Sequence, residues 1–144
     1  IAVSLGRWGF AAWNDDAGTP PVRGAAATGQ AGRSVVAYYF HGKARCTNCV
    51  RIETWSREAI QRAFARELAD GRLAWQVVDV EAKGNEHFVE DYQLYTKSLV
   101  LVERVGGKQV RWKNLARVWE LLVSRERFQA YVRGEVAAWL KDGP

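Results

Sequence analysis

The chain has few cysteines and lacks long apolar runs, and each of these shortages excludes a class of protein. Its 144 residues include two cysteines, two histidines and three prolines. Two cysteines are too few for a small domain knitted together by several disulfides. No apolar run reaches the roughly 18 residues of a complete membrane span. These residues therefore contain no segment that crosses a bilayer by itself.

The chain also lacks a basic block. It has 21 Lys and Arg against 16 Asp and Glu, for a formal charge of +5, and most of the basic residues are interleaved with acids. Nucleic-acid binding favours a basic stripe with exposed aromatic residues, so we expect no nucleic-acid partner. With 48% hydrophobic and 26% charged residues, the composition is that of a globular protein and the length suits one domain.

Residues 1–33 differ in composition from the rest of the chain. Residues 1–13 carry one charge and three aromatic residues, which is typical of the outer end of a membrane anchor. An edge strand or an amphipathic arm packed on the domain is the alternative. Residues 14–33 are rich in Gly, Ala, Pro and Thr, as linkers are. We therefore predict an N-terminal extension over 1–33 and a compact domain over 34–144.

Four stretches of the compact domain have the composition of strands, and the last two flank a Gly-Gly turn. They are 34–40, 73–80, 98–105 and 108–114. Apolar residues at helical spacing predict helices between them. One helix follows the cysteines and ends at Gly71. A short helix over 86–92 is capped by Asn85, with Phe88, Val89 and Tyr92 facing inward. Another short helix lies near 115–122, and Ser124 caps the last one. The order β-α-β-α-β-β-α predicts an α/β fold with a central mixed four-stranded sheet flanked by helices.

Cys46 and Cys49 are three residues apart, between a buried strand and a helix. Cys46 would lie at the helix N-terminus, where free N–H groups and the helix dipole stabilise a thiolate, and Lys43 and Arg45 add positive charge on the approach. Cys49 would lie one turn further in, close enough for a disulfide and shielded from outside attack. This placement favours thiol–disulfide exchange, in which Cys46 attacks and Cys49 resolves the mixed disulfide.

Two other interpretations of the cysteine pair stay open. The pair is also half of a metal site that a histidine or a second chain would complete. Alternatively, the two cysteines are structural, and the domain only binds a partner. The sequence has no Gly-rich phosphate-binding motif after a strand, so we expect no flavin, nicotinamide or other cofactor.

The layout over 34–141, with CxxC after the first strand, resembles the thioredoxin superfamily. More narrowly, the stretches YYFHGKARCTNCVRIE, HFVEDYQLYTKSLVLV and WKNLARVWELL resemble a small bacterial group known as nitrophenyl compound nitroreductase subunits of an arsenic-operon type. The resemblance implies a thioredoxin-like fold, disulfide exchange with a redox partner protein, and an extracytoplasmic setting on the periplasmic side. In the bacterial group a hydrophobic anchor ends at SLG-type residues, which match residues 4–6 here, so the resemblance favours the membrane anchor.

The sequence departs from the thioredoxin pattern at two positions. Thioredoxins carry a buried acid where Phe40 stands, so His41, Glu53 or water would have to accept the proton of Cys49. They also carry a cis-proline facing the disulfide, a position that the resemblance assigns to Ser98. A cis bond before a residue other than proline costs about 3 kcal/mol, so we expect a trans peptide there. The Ser98 hydroxyl would then face the sulfurs and donate a hydrogen bond to the Cys46 thiolate.

Overall fold

A computed structural model describes residues 32–141, in which four strands form a single sheet. The strands are β1 (Arg33–His41), β2 (Leu73–Asp79), β3 (Ser98–Val105) and β4 (Lys108–Asn114). They lie in the order β2-β1-β3-β4. β2 is parallel to β1, whereas β3 is antiparallel to both β1 and β4. The sheet is therefore mixed, and β1 is one of its two central strands.

Helices connect and flank the strands. They are α1 (Thr47–Ala63), α2 (Ala65–Asp70), α3 (His87–Asp91) and α4 (Arg125–Lys141), with a 3₁₀ helix at Ala116–Trp119. This order of elements confirms the α/β thioredoxin-like fold class expected from the sequence, with its mixed four-stranded sheet between helices.

The core has two layers, one on each face of the sheet. Residues Val35, Ala37 and Tyr39 of β1 pack with buried side chains of α1 and α4. The alternate residues of β1, including Phe40, pack on the other face against the segment that contains α3. Because β1 is covered on both faces, apolar residues occupy both alternations of its sequence.

The helix after the cysteines differs from the prediction. Instead of one helix ending at Gly71, α1 ends and α2 begins at Phe64, whose φ of −128° and ψ of 36° interrupt the helical path. The Phe64 backbone N–H still donates to the Ile60 carbonyl at 2.9 Å. The apolar spacing therefore continues across the interruption, which is why the sequence pattern does not reveal it.

Two details of the shorter helices are also different from the prediction. Asn85 does not cap α3, because its side-chain amide donates to the Asp79 carbonyl at 3.0 Å and Glu86 occupies the N-cap position. Val89, expected to face inward, is 39% exposed. By contrast, the predicted cap of α4 is confirmed, since the Ser124 hydroxyl accepts a hydrogen bond from the Arg127 N–H at 3.2 Å.

The first described strand begins one residue before the predicted start of the domain. Arg33 is buried within the sheet and forms an ion pair with Glu103. Residues 1–31 lie outside the described part of the chain, so the linker and the membrane anchor stay predictions. Between residues 32 and 141, no helix combines the length and the apolar character needed to cross a membrane.

Candidate active site

The loop after β1 carries the cysteines to the start of α1. Cys46 is the N-cap residue of this helix, with an extended backbone (φ −90°, ψ 166°). Its sulfur accepts a hydrogen bond from the backbone N–H of Cys49 at 3.0 Å. A sulfur thus takes the capping role that a Ser or Asp oxygen usually has, and it lies where the unpaired N–H groups of the helix concentrate positive potential.

Cys46 and Cys49 form a disulfide, with their Cα atoms 4.9 Å apart. The two residues differ sharply in access to solvent, because Cys46 is exposed while only 2% of Cys49 is. A thiolate or disulfide on another protein can therefore approach Cys46 but not Cys49. The greater exposure of Cys46 agrees with the sequence, whereas the order of attack stays a prediction.

The segment after β2 fixes the start of the loop that precedes Cys46. The His41 carbonyl accepts a hydrogen bond from the Val80 N–H at 2.8 Å. The Glu81 carboxylate accepts another from the Lys43 backbone N–H at 2.9 Å. A Cβ atom at Gly42 would lie 2.1 Å from this carboxylate, so only glycine fits between the two anchoring contacts without displacing it.

Tyr39 of β1 is hydrogen-bonded to the backbone of the second cysteine. Its side chain is fully buried, and its hydroxyl donates to the Cys49 carbonyl at 2.8 Å. Burial raises the pKa of Tyr39 far above its usual value, against a lowering effect from Arg45 and with a further increase from Glu53. The hydroxyl therefore remains a neutral donor, and its bond ties β1 to the first turn of α1.

Arg45 is not directed at Cys46 as an unpaired charge, which corrects the expectation from the sequence. Its guanidinium donates to the Glu53 carboxylate, and Arg57 lies 3.9 Å from the other oxygen of the same carboxylate. Glu53 therefore partly neutralises the cation that precedes Cys46. The carboxylate that the sequence suggests as a proton acceptor for Cys49 is thus engaged by two arginines.

His41, the other suggested proton acceptor, is engaged with the loop backbone. Its Nδ1 lies 2.8 Å from the Gly42 carbonyl oxygen, so Nδ1 carries the hydrogen and donates. The ring also stacks on Tyr39, with centroids 6.0 Å apart. His41 helps to line a small pocket of about 150 Å³ beside the loop, together with Phe40, Glu81, Val89, Leu94, Tyr95, Lys97 and their neighbours.

Ser98 begins β3 opposite Phe40, at the sheet end from which the cysteine loop leaves. It is 4% exposed, and within residues 32–141 no peptide bond is cis. The trans bond expected before Ser98 is therefore present. The hydroxyl donates to the Thr96 carbonyl at 2.8 Å, so in this disulfide-bonded state it does not donate to a sulfur.

Sequence reasoning missed two residues of the site. Tyr39 was expected only as part of a buried strand, although a tyrosine in such a strand needs a partner for its hydroxyl and so gives a weak signal. Glu81 gave no signal, because its contact with Lys43 depends on how two distant loops meet. The described residues 32–141 contain no group of three or more His, Cys, Asp or Glu residues that could hold a metal ion.

No family model matches the chain, and no curated protein matches it. The narrower resemblance to the bacterial nitroreductase-subunit group therefore has no support from these comparisons.

The chain is similar to several solved thioredoxin structures. Oxidised mitochondrial thioredoxin 3 from Saccharomyces cerevisiae is 11% identical, with 70% of this chain and 78% of that one covered and a TM-score of 0.38. A Thermus thermophilus thioredoxin is 16% identical, with 72% and 74% covered and a TM-score of 0.40. A Fasciola hepatica thioredoxin is 17% identical, with 69% and 78% covered and a TM-score of 0.35. The fold class is given by the strand order and the helix positions of this chain itself.

Proposed function

We propose that the protein is a thiol–disulfide oxidoreductase that exchanges disulfides with a partner protein through Cys46 and Cys49. The observation that carries the proposal is the unequal exposure of two bonded cysteines at the N-terminus of one helix. The exposed sulfur is the one that caps the helix, where a thiolate is stabilised. The chemistry needs no cofactor, because the sulfur pair itself holds the two electrons.

The exchange takes two balanced steps. In the reduced protein, the Cys46 thiolate attacks one sulfur of a partner disulfide, forms a mixed disulfide and expels the partner's other sulfur as a thiolate. Cys49 then loses its proton to solvent and attacks the Cys46 sulfur, which releases the partner's remaining thiolate. The partner gains two electrons and the Cys46–Cys49 disulfide forms. The same steps in reverse oxidise a partner dithiol.

Ser98 is proposed as the third residue of the site. It lies beside Phe40 at the sheet end from which the cysteine loop leaves, and its hydroxyl shapes the turn at Thr96. We propose that on reduction this hydroxyl leaves the Thr96 carbonyl and donates to the Cys46 thiolate, which would favour the charged form of Cys46.

The cellular location of the protein is also a proposal. The composition of residues 1–13 supports an extracytoplasmic protein tethered by an N-terminal membrane anchor, with the domain on the periplasmic side. Stable disulfides are favoured in such compartments, which suits a protein whose only two cysteines are bonded to each other.

Trapping with Cys49→Ser tests the proposal. Without Cys49, the mixed disulfide between Cys46 and the partner cannot be resolved, so a covalent complex should accumulate and disappear on addition of dithiothreitol. The matched control is Cys46→Ser, which keeps only the buried thiol and should trap nothing. Equal trapping by both variants, or by neither, would contradict the assignment.

Wild type and a variant with both cysteines replaced by serine separate the two alternatives. A metal or metalloid carrier would contain metal as purified in the reduced state and lose it when Cys46 and Cys49 are oxidised. A non-catalytic binding module would retain its partner after both cysteines are replaced by serine. The oxidoreductase should show neither behaviour and should equilibrate reversibly with glutathione.

A further inference from the structure

We infer that Glu53 is a positioning residue that holds Arg45 along α1 and so limits the positive charge that acts on the Cys46–Cys49 pair. The inference rests on the proposed function and concerns how the reactivity of that same site is set. Glu53 acts through Arg45, with which it forms an ion pair.

The first support is the path of the Arg45 side chain. Arg45 directly precedes Cys46, yet its guanidinium bonds to a carboxylate seven residues beyond that cysteine. Seven residues of α-helix span about 10 Å along the axis. The side chains of Arg45 and Glu53 are 35% and 17% exposed, so the pair lies partly buried against the helix. The cation is thus held away from the helix cap.

The second support is the electrostatic influence of both residues on Tyr39. The Arg45 charge lowers the pKa of Tyr39 and the Glu53 charge raises it, although burial has the largest effect. The Tyr39 hydroxyl, whose pKa responds to both charges, donates a hydrogen bond to the Cys49 carbonyl. Two opposite charges therefore act close to the cysteine pair, and the loss of Glu53 leaves Arg45 uncompensated there.

The other charged groups around the site do not replace Glu53. Glu81 is bound to the Lys43 backbone N–H, so it does not serve as a side-chain ion-pair partner for the loop. The remaining charged or titratable side chains of the neighbourhood come from β1, the loop, α1 and the segment before β3. They are His41, Lys43, Arg51, Arg57, Tyr95 and Lys97. None of these six is a carboxylate, so Glu53 is the carboxylate that offsets Arg45.

The direction of the effect follows from charge alone. Neutralising Glu53 leaves Arg45 as an uncompensated cation beside the positive end of α1, which stabilises a thiolate and hence the reduced dithiol. A protein whose reduced form is stabilised is a stronger oxidant. Two unit charges about 7 Å apart in a water-like dielectric change an equilibrium roughly threefold. A threefold change for a two-electron couple corresponds to about 14 mV.

The test compares Glu53→Gln, Arg45→Gln and the double variant with wild type. Two quantities are measured for each protein: the pH profile of Cys46 alkylation by iodoacetamide and the equilibrium constant with glutathione. We expect Glu53→Gln to react at lower pH and to shift the equilibrium roughly threefold toward the dithiol. We expect Arg45→Gln to shift both in the opposite direction, and the double variant to lie near wild type.

Glu58→Gln is the matched control. Glu58 lies on the same helix and pairs with an arginine, Arg125, but that arginine belongs to α4 and not to the cysteine loop. The inference is overturned if Glu53→Gln changes the pH profile and the equilibrium no more than Glu58→Gln does. If wild type itself fails to equilibrate with glutathione, the proposed function fails instead, so the two failures are distinguishable.

Discussion

The Glu81 carboxylate accepts a hydrogen bond from the Lys43 backbone N–H at 2.9 Å, which links the segment after β2 to the cysteine loop. Gly42 precedes Lys43, and a Cβ atom there would lie 2.1 Å from the Glu81 Oε2 atom. The absence of a side chain at residue 42 is therefore part of the mechanism that fixes the loop. The effect of a side chain at this position can be measured with Gly42→Ala, which adds one methyl group.

We predict that Gly42→Ala lowers both stability and exchange rate. The added methyl group pushes the Glu81 carboxylate off the Lys43 N–H, and the loss of such a hydrogen bond costs about 1 kcal/mol. Urea unfolding should show this loss, and the rate of exchange with glutathione should fall because the loop before Cys46 is less fixed.

Gly134→Ala is the control for this substitution. Gly134 lies inside α4 and has open space around the position of an added Cβ. Alanine there should raise the free energy of unfolding by about 0.5–1 kcal/mol, because glycine is a poor helix former. The explanation for Gly42 would be wrong if both alanine variants were stabilised.

We predict that Cys46 reacts before Cys49 in the reduced protein. Cys46 is exposed at the helix N-terminus and Cys49 is 2% exposed, so access and thiolate stabilisation both favour Cys46. Brief treatment with iodoacetamide followed by peptide mass analysis gives the order directly. Equal labelling, or faster labelling of Cys49, would contradict the assignment of Cys46 as the attacking sulfur.

We predict that Glu103 makes the domain sensitive to acid. Burial alone would raise the pKa of Glu103, but hydrogen bonds and charges from Arg33 and Arg111 lower it below its ordinary value. Its contribution to stability is therefore fully present above the unfolded-state pKa of about 4.3 and is lost as the pH falls through the lower folded-state pKa. Glu103→Gln should cost about 3 kcal/mol at pH 7, because two arginines lose a buried charged partner.

The pH dependence distinguishes this charge effect from a simple packing defect. As the carboxyl of wild type becomes protonated, its free energy of unfolding should approach that of Glu103→Gln, so the gap narrows toward low pH. A gap that stays constant from pH 7 to pH 3 would mean that the charge is unimportant. Glu135→Gln, which breaks the more exposed pair with Lys113, should cost less than about 1 kcal/mol throughout.

We predict that a chain beginning at Gly32 folds with little change in melting temperature. The strand β1 begins at Arg33, and the buried clusters of the described residues are built from Val35 onward. Calorimetry of the shortened protein beside the full chain is the measurement. A large decrease in melting temperature would show that residues 1–31 pack on the domain, and the tether interpretation would then be dropped.

The strands and the cysteine helix were predictable because their signals are local. Apolar residues on both alternations of 34–40 indicate a strand covered on two faces, and the position of CxxC between a strand and a helix places one sulfur at a helix cap. The break at Phe64 was not predictable, since the apolar period runs through it. The partner of Arg45 was also hidden, because the path of an exposed side chain depends on how the loop leaves β1.

The sulfur cap of α1 makes one backbone amide an indicator of redox state. The Cys49 N–H donates to the Cys46 sulfur, which is a weak acceptor in a disulfide and a much stronger one as a thiolate. The nitrogen and proton chemical shifts of this single amide should therefore change on reduction, and its exchange with deuterated solvent should slow. The Cys49 amide therefore indicates whether the Cys46–Cys49 pair is oxidised or reduced, and no added dye or partner is needed.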